Sequence, residues 1–251
     1  MKTIAFITDI HLDENLLQEK GVDTRKQWEL LLSDLATREI DHIVFGGDIG
    51  AASAYPWFFK TLNHFNLKYI IGNHDTFSEA AKYYIGELPA GNELYYSEKG
   101  KHYKYIYMDT SAGSISAAQL HWLKNKLVTD KPVILFIHHP ILAVDTPIDR
   151  QYPLHGRDEI ANVLKEIDEK VFVFCGHYHM EDILQSDNIT QIITPASSYQ
   201  IVKQAKDLEF DNTTFGYCIL QLSAFKIQTQ VVMSRNGKFE ADTMNTFHLA
   251  H

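Results

Sequence analysis

The sequence predicts an α/β fold with a central pair of sheets, on three observations. Short apolar runs alternate with amphipathic stretches for most of the length. After Gly176 the texture changes to strand-like segments with little helical signal. No low-complexity segment or internal repeat breaks the pattern, so residues 1–251 read as one domain. With 45% hydrophobic residues, the 251-residue chain can bury a large core.

Segments 3–8, 42–45, 68–71, 103–108, 133–137 and 171–175 are expected as strands, because Ile, Val, Phe and Tyr dominate most of them. Between them, 24–38, 55–65, 78–85, 116–127 and 157–169 are expected as helices. Leu30, Leu31 and Leu35 mark the buried stripe of the first helix, and Ser116 stands before a run that holds Trp122 and Leu123. Beyond Gly176, 189–194, 215–222 and 227–234 are expected as strands, ending the fold in antiparallel pairs. Segments 143–155 and 198–214 carry the poorest signal; compact domains keep long irregular connections mainly for binding, so both are expected as loops over a site.

The net charge is −9 and no basic run occurs, which argues against broad attachment to a nucleic acid polymer or an anionic membrane surface. A phosphate-bearing ligand would need a local positive centre. Cys175 and Cys218 form no CxxC pair and fit a reducing compartment, each most simply as a small buried hydrophobe. Asp9 interrupts the N-terminal apolar run before a secretory segment would end, and no stretch approaches the ~20 apolar residues of a membrane helix. A cytoplasmic location is the expectation.

Thirteen histidines are present, several in tight groups with aspartates and glycines. Five short motifs fall at the carboxyl ends of expected strands: Thr8-Asp9-Ile10-His11, Gly46-Gly47-Asp48, Gly72-Asn73-His74-Asp75, His138-His139-Pro140 and Gly176-His177-Tyr178-His179. Ligands bind at that end of open α/β sheets, so the motifs are expected to converge. In extended backbone, residues two apart share a side; Asp9 with His11, and His177 with His179, would each present two donors to one centre. The donors are Asp9, Asp48, Asn73, His11, His138, His177 and His179, a mixed N/O set that suits Mn, Fe, Zn or Co better than Ca. This exceeds one four-coordinate ion, so two ions sharing a bridging carboxylate are expected, and such pairs catalyse in-line displacement at phosphorus. Glycines before Asp48, Asn73 and His177 permit close backbone approach in a crowded site.

DxH, GGD, GNHD, HHP and GHxH in that order, from Asp9 to His179, resemble the calcineurin-like metallophosphoesterase superfamily. The resemblance implies a four-layer α-β-β-α sandwich of two mixed sheets flanked by helices. It further implies that Asp9, His11 and His179 hold one divalent transition-metal ion, that Asn73, His138 and His177 hold a second, and that Asp48 bridges them. In the family the ligand of HHP is the first histidine, which leaves His139 near substrate or in support. His74 would give a proton or hydrogen bond to the phosphoryl group, with Asp75 fixing its tautomer and Asn73 and His139 as further substrate contacts. Two such ions supply a hydroxide at neutral pH and neutralise phosphoryl oxygens, so the protein's net −9 is no obstacle.

The simpler readings stand beside these. His42, His64, His102, His121, His155, His248 and His251 match no motif and are expected as ordinary or surface residues. Asp13-Glu14 and Asp41 are expected on solvated turns, Asp109 as a cap, and Trp28, Trp57 and Trp122 as core anchors. Tyr178 is expected to point away from the metals by strand alternation. Tyr83, Tyr84, Tyr95, Tyr96, Tyr103, Tyr105 and Tyr107 could stack a nucleobase, but period-two tyrosines are more simply cross-strand pairs.

Val22-Asp23-Thr24-Arg25, residues 55–59 and residues 116–123 resemble the class III cyclic nucleotide phosphodiesterase branch. Thr76-Phe77 stand where that branch commonly carries an arginine, so the resemblance implies a small phosphodiester, with a 3′,5′-cyclic nucleotide as one candidate. A phosphomonoesterase or Ser/Thr protein phosphatase would use the same ions but want extra cations, for which Arg150 and Arg157 are the nearest arginines. A nuclease would want a basic track that the chain lacks. A non-catalytic scaffold on this fold would tend to lose ligands, and this chain keeps all seven and His74.

Overall fold

Runs of apolar residues buried on both faces turn the strand signals into two stacked sheets. The computed structural model describes residues 1–88 and 91–249; His251 lies outside the described residues. In chain order the elements are β1 (Lys2–Ile7), α1 (Asn15–Glu19), α2 (Thr24–Thr37), β2 (His42–Phe45), α3 (Tyr55–Thr61), β3 (Asn66–Tyr69), α4 (Phe77–Ala80), β4 (Tyr96–Lys99), β5 (Lys104–Tyr107), α5 (Ala117–Lys126) and β6 (Val133–Phe136). There follow α6 (Pro147–Gln151), α7 (Arg157–Lys165), β7 (Val171–Cys175), β8 (Asp182–Ser186), β9 (Ile189–Ile193), β10 (Gln200–Ile201), β11 (Phe210–Asp211), β12 (Thr214–Leu222), β13 (Lys226–Arg235), β14 (Lys238–Ala241) and β15 (Asn245–His248).

Among the described residues, one mixed sheet runs β14-β13-β12-β1-β2-β3, with β15 also on β13, and the other runs β4-β5-β6-β7-β9-β8. β1, β2 and β3 are parallel, as are β5, β6, β7 and β9, so their carboxyl ends share one edge of each sheet. Alternation along β1 sends Ile4 and Phe6 to the inter-sheet core, where Phe6 meets Phe136 at 5.5 Å, and sends Ala5 and Ile7 to the outer face. On that outer face Trp28, Leu31 and Leu35 of α2 and Phe58 of α3 cover the first sheet. Leu123 of α5 and Ile160 and Leu164 of α7 cover the second. The layers are therefore α-β-β-α. No helix among the described residues is long and apolar enough to cross a membrane.

Local chemistry sets several boundaries. Asp23 caps α2 by accepting from Lys26 N at 3.0 Å, and Ser116 caps α5 by accepting from Gln119 N at 3.1 Å. The helix expected over 55–65 stops at Thr61, whose hydroxyl donates to the Phe58 carbonyl, and the chain turns into β3. That strand begins at Asn66 rather than Lys68, because it pairs in register His42 with Asn66 through Phe45 with Tyr69. The helix expected over 78–85 shrinks to α4 and one 3₁₀ turn, which lets Tyr83 stack on Phe59 at 4.1 Å. The expected tyrosine pairing holds for Tyr96 and Tyr107, opposite one another in register and stacked at 4.4 Å.

Trp28 has no exposed surface, packs edge-on to Phe45 and donates its indole N–H to Thr61 Oγ1 at 2.8 Å. Trp28→Ala should lower the unfolding free energy by about 3–5 kcal/mol in urea titrations, and a loss below about 1 kcal/mol would contradict this packing.

Candidate metal centre

The chain leaves the sheets at Ile7, Phe45 and Cys175 and at once enters left-handed backbone. Asp9, His11, Asp48, His177 and His179 have φ of 57°, 50°, 59°, 65° and 48°, each costing of order 1–2 kcal/mol for a residue with a Cβ. The expectation of extended backbone through these motifs is thus corrected. Asp9 and His11 do meet, but through turns, and His177 and His179 diverge to different donor groups. Tyr178 does point away: its ring is buried in the outer core and its hydroxyl donates to Asp149.

Main-chain bonds between loops hold these turns. Asp9 N donates to Gly47 O at 2.9 Å and His11 N to Asp48 O at 3.0 Å, extending the β1–β2 pairing beyond the sheet. Ser197 N and Oγ both reach the Thr8 carbonyl, and Ser198 Oγ reaches the Asp9 carbonyl at 2.6 Å. Close approach needs glycine at two positions. A Cβ on Gly72 would collide with the Asp48 carboxylate and the His138 ring, and one on Gly176 with Asp9 and Thr8.

Inside this frame, six of the seven expected donors converge as two groups, Asp9 with His11 and His179, and Asp48 with His138 and His177. His11 Nε2 and His179 Nε2 are 3.1 Å apart, and Asp9 Oδ1 lies 3.3 Å from His179 Nε2. Asp48 Oδ2 lies between the groups, 3.3 Å from His138 Nε2 and 3.6 Å from His11 Nε2. Asn73, the seventh, is exposed on the cavity wall beside them.

Hydrogen bonds made on the far side of each group aim these atoms. His11 Nδ1 donates to Glu14 at 3.0 Å, His138 Nδ1 to the Gly46 carbonyl at 2.8 Å and His179 Nδ1 to the Tyr199 carbonyl at 3.1 Å, which leaves each Nε2 lone pair facing inward. His177 is turned the other way, with Nε2 on the Tyr152 carbonyl at 3.0 Å, leaving Nδ1 for coordination. Thr8 Oγ1 donates to Asp9 Oδ2 at 2.6 Å and His74 N to Asp48 Oδ1 at 2.9 Å, so the opposite carboxylate oxygens face the centre.

These residues fit divalent metal. Among the described residues His138 Nε2 is buried with no hydrogen-bond partner, and His11 Nε2 and His179 Nε2, 3.1 Å apart with both Nδ1 atoms engaged elsewhere, need a proton or a cation between them. Burial opposes ionisation of Asp9 and Asp48, yet the imidazoles of His179 and His138 outweigh it and hold both carboxyls well below the usual range. Burial likewise opposes protonation of His138, but Asp48 and Asp9 raise it to about 10, while burial and the His138 charge push His177 down to about 4. A cluster that draws protons this strongly offers the same atoms to cations.

Three expectations need correction. Asp75 does not touch the His74 ring; its buried carboxylate accepts from Asp48 N, Ile49 N, Gly72 N and Tyr55 OH at 2.7–2.9 Å, tying the GGD and GNHD turns together. Burial and the charge of Asp48 raise it to about 6. His139 is buried against Thr110, 2.8 Å from its hydroxyl, with its ring 4.1 Å from that of His177, and it does not line the cavity. Glu14, expected on a solvated turn, bonds both His11 and His74 Nδ1, the latter at 2.9 Å. Burial works against its charge, but those two histidines outweigh it and hold Glu14 near 2, and its hydrogen bond in turn raises His74 to about 9. The signal for Glu14 was its place one turn after His11, within reach of the same centre.

A cavity of about 270 Å³ opens over the centre. His11, Asp48, Asn73, His74, His177 and His179 form its polar side, and Leu16, Ile148, Tyr152, Tyr199, Ile201, Leu208 and Phe210 its apolar side. Apart from Leu16 of α1, the apolar side comes from the two segments expected as loops, which here carry α6 and the β10–β11 hairpin. Among the described residues no lysine or arginine lines it. Arg150 is paired with Asp145 and Arg157 with Asp149.

Comparison with known proteins matches residues 2–181 to the calcineurin-like phosphoesterase family. A 3′,5′-cyclic adenosine monophosphate phosphodiesterase of Escherichia coli is 28% identical over 264 aligned positions, covering 96% of this chain and 92% of the relative. A probable cyclic nucleotide phosphodiesterase of Fibrobacter succinogenes is 27% identical over 208, covering 79% and 80%. A dimetal phosphatase from Danio rerio superposes with a TM-score of 0.70 at 12% identity, over 99% of both chains. The fold, the convergent donors and the match over residues 2–181 place this chain in the calcineurin-like phosphoesterase family, the metal-dependent phosphoric ester hydrolases.

Proposed function

We propose that the chain hydrolyses a small nucleotide-like phosphodiester, with a 3′,5′-cyclic nucleotide as the leading candidate. The observation that carries this reading is the two-sided cavity. A monoester brings a dianion and one organic arm, and would call for cations beyond the metal pair. A diester brings one charge and a second organic group, which suits a pocket with metal donors on one side and an apolar wall without lysine or arginine on the other. The names of the relatives, cyclic nucleotide phosphodiesterases, agree with it.

In this reading Asp9, His11 and His179 would hold one ion, Asn73, His138 and His177 would hold the other, and the Asp48 carboxylate between the two groups would be shared. When bound, two divalent ions supply a water nucleophile at neutral pH and neutralise the phosphoryl oxygens. Glu14 bonds His74 Nδ1 and so orients the ring and favours its protonated form. The other face of His74 opens on the cavity, where it holds the proton that the departing alkoxide needs, a contribution of roughly 10²–10⁴-fold in such reactions. Asp75 keeps the Asp48 and Asn73 turns in register without entering the chemistry.

Two measurements test this. Mn²⁺ at roughly one hundred times its dissociation constant should stabilise the metal-stripped protein by about 2.7 kcal/mol, read as a rise in Tm that chelation reverses; no shift would contradict the donor assignment. With Mn²⁺ restored, 3′,5′-cyclic AMP and bis(p-nitrophenyl) phosphate should turn over with kcat/KM at least about tenfold above p-nitrophenyl phosphate, which corresponds to about 1.4 kcal/mol of transition-state preference. Preference for the monoester would overturn the diester reading, and metal uptake without any hydrolysis would favour a binding scaffold.

A further inference from the structure

The apolar wall is built directly on the metal donors. In the β10–β11 hairpin Ile201 lies opposite Phe210, and Ile201 N donates to the His179 carbonyl at 2.8 Å while the Tyr199 carbonyl accepts from His179 Nδ1. The Tyr199 ring rests 4.3 Å from the His179 ring and 5.4 Å from Phe210. Phe210 packs in none of the three buried cores among the described residues and keeps 39% of its surface exposed. Lys20 Nζ lies 4.9 Å over it, which fixes the plane of the ring. The ring thus stands half-open on a short hairpin, outside the cores and within one residue contact of a donor histidine. The tyrosines that could have stacked a base, from Tyr83 to Tyr107, are instead committed to pairs such as Tyr96 with Tyr107 and do not line this cavity.

Resting on the phosphodiester reading, we propose that Phe210 and Tyr199 form a base subsite, in which the planar heterocycle of a nucleotide ester stacks on the hairpin while its phosphate lies over the metal donors. The hairpin's two bonds to His179 set the distance between the two ends of the ligand. Base–aromatic stacking is tolerant of base identity, so the subsite selects a nucleotide over an abasic sugar phosphate and discriminates weakly among bases.

Calorimetry on the Mn²⁺-loaded protein with AMP and ribose 5-phosphate tests this, since the two probes share a phosphate and differ in the base. AMP should bind about tenfold tighter, and Phe210→Ala should bring the two affinities within about twofold while leaving that of ribose 5-phosphate in place. Phe210→Trp should keep the preference and Phe210→Leu should lose most of it, with unchanged Tm as the check on folding. Equal wild-type affinities, no affinity for AMP, or a parallel loss for both probes in Phe210→Ala would overturn the subsite. A retained AMP preference in a protein that turns over no diester would support the subsite and overturn the phosphodiesterase reading alone.

Discussion

One crowding governs this structure: imidazole nitrogens and carboxylate oxygens aimed at one small volume, with His11 Nε2 and His179 Nε2 3.1 Å apart and Asp48 Oδ2 within 3.6 Å of both His11 and His138. Left alone, such groups would rotate apart or take up protons. They stay because each is held from behind, the histidines by Glu14, Gly46, Tyr152 and Tyr199, and the aspartates by Thr8 and main-chain N–H groups.

The rest of the fold supplies the rigidity that this demands. Five residues in left-handed backbone would unwind in a loosely tethered loop, but here the loops cross-bond one another beyond the sheet edge and stand on an inter-sheet core of interlocked phenylalanines and tyrosines. Asp75 shows how buried charge serves this purpose: four donors converge on its carboxylate, and the two turns that carry Asp48 and Asn73 cannot move independently. The apolar hairpin shares two hydrogen bonds with His179, so the surface that meets the organic part of a substrate and the donors that meet its phosphate form one unit.

The donor motifs were legible because residue type and spacing survive in the sequence, and strand positions followed from apolar runs such as 133–137 and 171–175, whereas the order of the strands within each sheet was not read. The conformation of the motifs was not legible, since alternation describes a chain only while it stays in the sheet, and the chain departs two residues before Asp9 and His177. Tyr178 was placed correctly for a reason that the backbone does not bear out. Glu14 stood three residues from His11, but its second partner, His74, lies sixty residues away in another motif, so its link between the two was hidden. The aromatic wall was hidden because a two-residue strand pair such as β10–β11 leaves no periodicity to read, although its segment stood out as a loop too long to be idle.

The central proposal is that this framework would hold two ions with Asp48 shared between them. Diffraction from crystals grown with Mn²⁺, recorded to bring out the metal's anomalous scattering, tests it most directly. The account predicts two peaks separated by about 3.5–4 Å, one beside Asp9, His11 and His179 and one beside Asn73, His138 and His177, with Asp48 in contact with both. A single peak, or two that do not share Asp48, would contradict it.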